Sequence, residues 1–362
     1  MRGVVVLDRF DYRKESWGYI LQDKIHDRIW GISDQNWYDM LNGNASAYED
    51  ILSSHPYRHK GWFFIGDNKP EYFDISVPIS ISWSLTDQCN SRCLFCCNDA
   101  DKSKNYGIET NHIFRILDEV KAWGIMRLII GGGEPTVRHD ISNILLYAHD
   151  IGLRPALATN GTMLTKEFVN LVKKVCCTLQ ISLDTLNRDT YCFLRGIDAI
   201  DDLKRNIYMA VEQAAPVRIV TVVTSKNYFQ LDEIADFIFK AGIRQWFIFR
   251  MLQSGRAIDN AAQIGEINSL ELMRKIHKLY VSYPDIDIFT WGDGEADQVS
   301  VYVESNGNII VRDYRQGQLI KLNDIEKTSL AEAWSTFDFK VRSNSFINFI
   351  QPNRAVRDNY TE

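Results

Sequence analysis

The sequence predicts an α/β fold built around six strand–helix units in series, a partial (β/α)6 barrel spanning residues 79–260. Three observations carry this. Short apolar strand runs alternate with amphipathic helical stretches from residue 79 onward. The strand runs end in glycine, polar or charged residues, so functional groups should collect at one end of the barrel. A cysteine-rich stretch, Cys89-Asn-Ser-Arg-Cys93-Leu-Phe-Cys96, follows the first strand at that same end.

Residues 1–78 come before the alternation and read as a small α+β domain. Val4–Leu7, Trp17–Leu21 and Ile25–Trp30 are strand candidates separated by turn residues. Ser33 or Asp34 is placed to cap a short helix holding Trp37, Met40 and Leu41, which Gly43 ends. A second helix is expected over 46–52, before Pro56. Gly61–Ile65 and Tyr72–Ile75 read as a hairpin or linker into the barrel.

The first barrel strand is Ile79–Leu85, then the cysteine loop and a helix around Ile113–Trp123. The second is Arg127–Ile130, ending in Gly131-Gly-Gly-Glu-Pro135, with a helix at Ile141–His149. Pro155–Ala158 is third, ending at Thr159-Asn160-Gly161, with a helix at Lys166–Lys174. Thr178–Leu183 is fourth, ending at Asp184, with a helix at Ala199–Gln213. Val217–Val223 and the helix Leu231–Lys240 make the fifth unit, and Gln245–Arg250 leads to Gln253-Ser-Gly-Arg256. Residues 261–362 read as an α+β extension. It holds a helix (Leu270–Tyr283), a loop (Thr290–Glu295), a hairpin turning at Asn306-Gly307 and a helix near Ser329–Trp334.

A length of 362 residues suits two or three domains, and 45% hydrophobic with 24% charged residues suits a globular protein. A net charge of −6 with no basic block disfavours nucleic acid as a partner. No apolar run reaches membrane-span length and no signal-peptide pattern opens the chain, so the expected location is cytoplasmic. Seven cysteines without framework spacing suit a reducing compartment, and none follows Cys192. Further clusters ligated by cysteines of the C-terminal third are therefore excluded.

Three thiolates at CxxxCxxC spacing leave one position open, on a tetrahedral metal or on one iron of a cubane. An open [4Fe–4S] cluster is one reading. A zinc knuckle is another, but it needs a fourth ligand. Cys97 is adjacent to Cys96, and His112 lies in a helical pattern with no second ligand near it. Disulfides are a third reading. The Gly131–Pro135 stretch adds a strand end where glycine lets a ligand approach the backbone, and where Glu134 offers an acceptor suited to an ammonium group.

Together these stretches resemble the radical S-adenosylmethionine (radical SAM) superfamily. Phe95 stands at the aromatic position of its cysteine motif, and Gly132, Gly133, Glu134 and Pro135 match its Gly-Gly-Glu-Pro motif. The resemblance implies a TIM-type partial barrel and a [4Fe–4S] cluster on Cys89, Cys93 and Cys96 whose open iron chelates SAM. It implies that Gly132, Gly133 and Glu134 contact the SAM amino group and that Phe95 packs near the adenine. One-electron reduction, from a donor such as flavodoxin or ferredoxin, then yields a 5′-deoxyadenosyl radical that abstracts a substrate hydrogen. Asn160 matches a Thr-Asn-Gly turn after strand three, and Ser182 and Asp184 match a Ser-Leu-Asp strand end near SAM. Arg195 matches an Arg-Gly that implies a partner for the SAM carboxylate. Each also reads as plain turn or cap chemistry. Cys192, where relatives often carry an acid, is a candidate hydrogen-atom donor or metal ligand, or else a small buried hydrophobe. Cys176 and Cys177 precede strand four, at the opposite end, and read as structural.

The flanks resemble those of ribosomal-peptide (RiPP) maturases. The layout of residues 1–78 is similar to PqqD-like winged-helix elements, which bind leader peptides by strand addition; a plain cap over the barrel is the alternative. The C-terminal hairpin and Ser-Leu-Ala-Glu-Ala-Trp334 resemble a SPASM/twitch extension, but Arg312-Asp313 stands where that extension has a cysteine, so it reads as cluster-free. Asp293, Glu295 and Tyr302 are further substrate-contact candidates. The expected activity is hydrogen abstraction from a precursor peptide, leading to epimerisation, a cross-link or backbone excision. A separate small recognition protein is a possible partner. The alternatives are a radical SAM enzyme acting on a small metabolite and a non-catalytic scaffold.

Overall fold

The computed structural model describes residues 10–23, 28–41, 62–65, 72–102, 104–290, 300–312, 319–336, 340–342 and 347–348. The expected strand Val4–Leu7, the expected helix over 46–52, and Asp293 and Glu295 lie outside them.

The N-terminal strands are β1 (Phe10–Glu15), β2 (Gly18–Asp23) and β3 (Arg28–Ile32), followed by helix α1 (Asp34–Leu41). The hydroxyl oxygen of Ser33 accepts from the backbone N–H of Asn36, and Trp37 and Met40 are buried, as the capping pattern predicts. β1 was not foreseen. Its sequence, FDYRKE, is almost wholly polar, because only its two end residues are buried. It pairs antiparallel with β2 through the tight turn before Gly18, whose φ is +150°. β4 (Trp62–Ile65) and β5 (Tyr72–Asp74) do not form the expected hairpin. β4 runs parallel to β3 and to β17 (Ile347–Asn348), while β5 pairs with β16 (Lys340–Arg342).

The barrel strands are β6 (Ser80–Thr86), β7 (Arg127–Gly132), β8 (Ala156–Thr159), β9 (Thr178–Ser182), β10 (Val217–Val223) and β11 (Gln245–Arg250). All six pair in parallel with their sequence neighbours. Parallel pairing demands crossovers, and the intervening helices supply them. These are α2 (Thr110–Trp123), α3 (Ile141–Asp150), α4 (Lys166–Lys174), α5 (Arg188–Arg195) with α6 (Ile200–Glu212), and α7 (Leu231–Lys240). Ile81, Trp83, Leu128, Ile130, Leu157, Leu179, Ile181, Ile219, Trp246 and Ile248 fill the core against the helices' apolar faces.

The sheet is larger than six strands. After α8 (Arg256–Ile264) and α9 (Ser269–Ser282), β12 (Asp287–Thr290) adds in parallel beside β11. On the other edge β13 (Ser300–Val303) pairs in parallel with β6, and β14 (Asn308–Arg312) and β15 (Leu319–Asp324) continue antiparallel. The predicted Asn-Gly hairpin is therefore welded to the barrel sheet. Helix α10 (Leu330–Ser335) then packs on α2, with Trp334 edge-on to Trp123. Arg13 ties the N-terminal sheet to the barrel base, donating to the carbonyls of Val77 (2.6 Å), Pro78 (3.3 Å) and Gly124 (3.3 Å). A cavity of about 910 Å³ lies at that base, lined in part by Tyr12, Lys121, Arg154, Cys176 and Arg244. It is at the opposite end from the cysteine loop, so it is not the place where the predicted chemistry gathers.

Candidate active site

Cys89, Cys93 and Cys96 lie on the loop between β6 and α2, at the C-terminal end of the barrel strands. All are free thiols, with Cys93 buried and the other two half-buried. Burial pushes the Cys89 thiol up to about 12, with Cys93 and Cys96 raising it further, and burial raises that of Cys93 against the opposing pull of Arg195. Among the described residues no three His, Cys, Asp or Glu side chains are spaced to hold a single metal ion.

The loop backbone is bonded on both flanks. On one side the N–H groups of Arg92 and Leu94 donate to the carbonyls of Arg195 (3.1 Å) and Leu194 (2.9 Å) at the end of α5. Gly196 caps that helix at φ +69°, where an added Cβ would stand 2.8 Å from the Arg92 carbonyl oxygen. On the other side the turn before α8 collects the loop's carbonyls. The backbone N–H of Arg256 donates to Cys96 (2.9 Å), its Nε to Cys93 (2.9 Å), its Nη2 to Ala100 (2.7 Å) and its Nη1 to the Asp99 carboxylate (2.8 Å). Ser254 Oγ donates to the Cys97 carbonyl (3.2 Å) and Asn260 Nδ2 to that of Leu94 (3.1 Å).

A second buried guanidinium secures the loop's ends. Arg138 donates to the carbonyls of Leu85 (3.0 Å), Tyr106 (2.9 Å) and Ile108 (3.2 Å) and pairs with both oxygens of Asp140 (2.9 and 2.6 Å). Its cation also sits 4.5 Å from the centre of the Tyr106 ring. Neither Arg138 nor Arg256 was singled out from the sequence. An arginine at a turn has no local signal that separates a buried clamp from a solvated charge.

The Gly-Gly-Glu segment serves the same loop. The N–H of Gly133 donates to Thr86 (2.6 Å) and that of Glu134 to Gln88 (2.8 Å), and Asn98 Nδ2 donates to the Gly132 carbonyl (3.0 Å). An added Cβ at Gly132 would meet Thr86 O at 2.3 Å, and one at Gly133 would meet Gln88 O at 2.2 Å. Glycine is required here because the protein's own backbone fills the position a Cβ would take. Glu134 is fully buried. Its Oε1 accepts from Thr136 N (3.1 Å), Thr136 Oγ1 (2.7 Å) and Thr159 Oγ1 (2.8 Å), and its Oε2 from Asn160 N (2.6 Å). Burial raises its carboxyl, although those donors pull the other way. Asn160 in turn donates to Asn90 Oδ1 (2.6 Å), so strand ends seven and eight are stitched to the cysteine loop.

At the fourth strand end, Asp184 is fully buried, accepts from Val222 N (2.9 Å) and pairs with Arg195. Arg195 is 7% exposed; its Nη1 lies 3.6 Å from Cys93 Sγ and its cation 5.2 Å from the centre of the Phe95 ring. Burial works against its charge, but Asp184 and Cys93 outweigh burial and hold its pKa above the ordinary value. Its Nε is buried without a hydrogen-bond partner. Phe95 packs with Cys93, Leu194, Met251, Ala257 and Ile264 in a small core beneath the loop. Ser182 is half-buried at the same strand end. Cys192 is not part of this gathering: its electrostatic neighbours are Asp198, Arg188 and Asp189. Cys177 is buried and Cys176 lines the base cavity, both remote from the loop, as expected.

Residues 83–238, which hold the cysteine loop and the Gly-Gly-Glu turn, match the radical SAM superfamily. This stretch is a radical SAM domain. Its cofactors are SAM and a [4Fe–4S] cluster, and the site fits them. Three free thiols share one loop, burial disfavours the bare thiolates of Cys89 and Cys93, and a buried cation with an unpaired Nε stands against Cys93.

The chain is similar to a heme synthase and to a mycofactocin maturase. The chain is 30% identical over 208 residues to an AdoMet-dependent heme synthase of Methanosarcina barkeri, covering 57% of this chain and 58% of that one. It is 33% identical over 189 residues to the mycofactocin maturase MftC of Mycobacterium tuberculosis, covering 51% of this chain and 48% of that one. The chain thus spans about half the length of these curated relatives. Its fold is similar to that of Streptococcus suis SuiB, whose structure bound to the precursor peptide SuiA superposes with a TM-score of 0.66 at 18% identity, over 90% of this chain and 87% of that one.

Proposed function

We propose that this chain is a radical SAM enzyme that abstracts hydrogen from a ribosomally made precursor peptide. The observation that carries the chemistry is the three-thiol loop, held on both flanks at the strand ends with the Arg195–Asp184 pair against Cys93. Cys89, Cys93 and Cys96 would hold the cluster. The strand-end groups Gly132, Gly133, Glu134, Asn160 and Ser182, with Arg195 at the end of α5, would seat SAM. Bound there, the cofactors supply a 5′-deoxyadenosyl radical once an external donor such as flavodoxin or ferredoxin provides one electron. The chain's own work is to orient and shield. Phe95 and Leu194, packed with Cys93, would keep water from one side of a cluster held there.

The peptide reading is supported by the similarity to the mycofactocin maturase and by the fold shared with the peptide-bound SuiB. Residues 1–78 would recognise the leader in the manner of a PqqD-like winged-helix domain, or dock a separate recognition protein. The β14 edge where a SPASM/twitch extension has a cysteine carries Arg312, so residues 261–362 would shape the substrate pocket without a second cluster. The similarity to a heme synthase favours a second reading, a small-metabolite substrate.

One assay separates them. Anaerobically reconstituted protein is given SAM and a strong reductant, with and without the precursor peptide encoded beside its gene, and 5′-deoxyadenosine and peptide mass are followed. Product that rises with peptide, with a mass change or deuterium uptake from D2O, is the expected result. Cleavage indifferent to peptide moves the assignment to a metabolite. Absence of cleavage in protein that carries its iron overturns the catalytic reading.

A further inference from the structure

We propose that the turn Ser254-Gly255-Arg256, together with Asn260 on α8, is the clamp that sets how firmly the cysteine loop holds its cluster, with Arg256 as a positioning residue. The proposal rests on the cluster assignment but not on the identity of the substrate. The clamp comes from the turn after β11 and from α8, outside the residues 83–238 that match the superfamily.

Buried carbonyls must find donors, and a loop curled around a cofactor cannot supply them from a helix or a sheet ladder. Here the carbonyls of Cys93, Leu94, Cys96, Cys97 and Ala100 all accept from this one turn and the first part of its helix. Two of those carbonyls belong to cluster cysteines, Cys93 and Cys96, and those of Leu94 and Cys97 follow them directly in the chain. Arg256 is 8% exposed and uses three guanidinium nitrogens at once, one of them on Asp99. A lysine cannot reproduce that fork. Gly255 makes the approach possible. At φ +54°, an added Cβ would stand 2.4 Å from Cys97 O and 2.7 Å from Cys96 O. The small core of Phe95, Met251, Ala257 and Ile264 closes the gap between loop and turn with apolar contacts. Groups that hold metal ligands in place in this way typically change metal retention by about 10–100-fold when removed.

The test measures cluster retention, which needs neither SAM nor peptide. Wild type, Arg256→Gln, Arg256→Lys and Gly255→Ala are reconstituted anaerobically, and iron, sulfide, the EPR spectrum of the reduced cluster and the rate of iron loss to a bathophenanthroline chelator are recorded. The melting curve of each apo chain serves as the structural control. Arg256→Gln and Gly255→Ala are expected to lose iron about 10–100-fold faster than wild type and to show altered g values. Arg256→Lys should fall between them and wild type. If Arg256→Gln fails to fold, the double variant Ser254→Ala/Asn260→Ala carries the test, because it removes only two carbonyl contacts; faster iron loss from it supports the clamp. Equal loss rates and spectra in folded variants would overturn the proposal. A wild type that never takes up a cluster would instead overturn the cluster assignment itself.

Discussion

Arg138 and Asp140 show how far one buried pair can reach: the pair is hidden and its guanidinium spans both ends of the cysteine loop. Removing one partner strands the other, which typically costs about 3–5 kcal/mol. Burial disfavours the Asp140 carboxylate, but the hydrogen bonds from Arg138 and Thr110 prevail and hold its pKa below the usual value. A folded pKa below the unfolded one means that the contribution is present above about pH 4 and is lost as pH falls through the lower folded value. Asp140→Asn is therefore expected to lower unfolding free energy near neutral pH, with the gap to wild type closing below about pH 4. Urea titrations of the apo chain at several pH values measure this. Arg195 makes a second prediction. Its Nη1 stands 3.6 Å from Cys93 Sγ, and hydrogen bonds and positive charge at a cluster sulfur raise reduction potential. Arg195→Gln should shift the potential downward in an EPR-monitored redox titration without SAM, while Arg195→Lys restores part of the shift.

Between single residues and the whole chain, strand ends act as units. The end of β7 is fastened to the start of the cysteine loop through Gly133 and Glu134, and to the end of β8 through Glu134 and Asn160. Gly132→Ala combines a φ of +122° with a Cβ 2.3 Å from Thr86 O, so the loop must give way. A loss of about 1–3 kcal/mol is expected, read by chemical denaturation, with a fall in iron incorporated per chain. The glycine string and the CxxxCxxC spacing were legible because each motif is local and sits where a strand stops. The partners of Glu134 were not, since Thr159 and Asn160 approach it only once β7 and β8 pair in register.

Across the molecule, the C-terminal residues extend the barrel sheet rather than forming a layer apart. The hairpin turn reaches back to the site: Ser305 Oγ donates to Asp87 at 2.5 Å, and Arg115 on α2 donates to the Ile325 carbonyl at 2.8 Å. The N-terminal sheet is attached more narrowly. Arg13 carries three of its bonds to the barrel base, and Glu15 accepts both from Arg13 (2.9 Å) and from Ser76 N (3.0 Å). Arg13→Ala is expected to make the segment around residues 72–78 markedly more sensitive to limited proteolysis, because hydrogen bonds to charged groups are worth about 1.5–3 kcal/mol. Peptide-independent SAM cleavage should be unchanged in the same variant.

By itself the sequence determined the parallel central sheet, the order of its units and the end at which cysteines, Gly-Gly-Glu and Arg195 collect. Hydrophobic periodicity and strand-end residues are written locally and need no partner to be read. Only the tertiary structure decided that Arg138 and Arg256 brace the cysteine loop and that Gly132 and Gly133 lie close against the backbone of residues 86–88. It also decided that β12 and β13 enlarge the sheet, and that the polar stretch Phe10–Glu15 is a strand. Each of these depends on groups far apart in sequence meeting in a low-dielectric interior, where an unpaired carbonyl or charge is costly. A side chain's identity alone does not say which distant carbonyl it will satisfy.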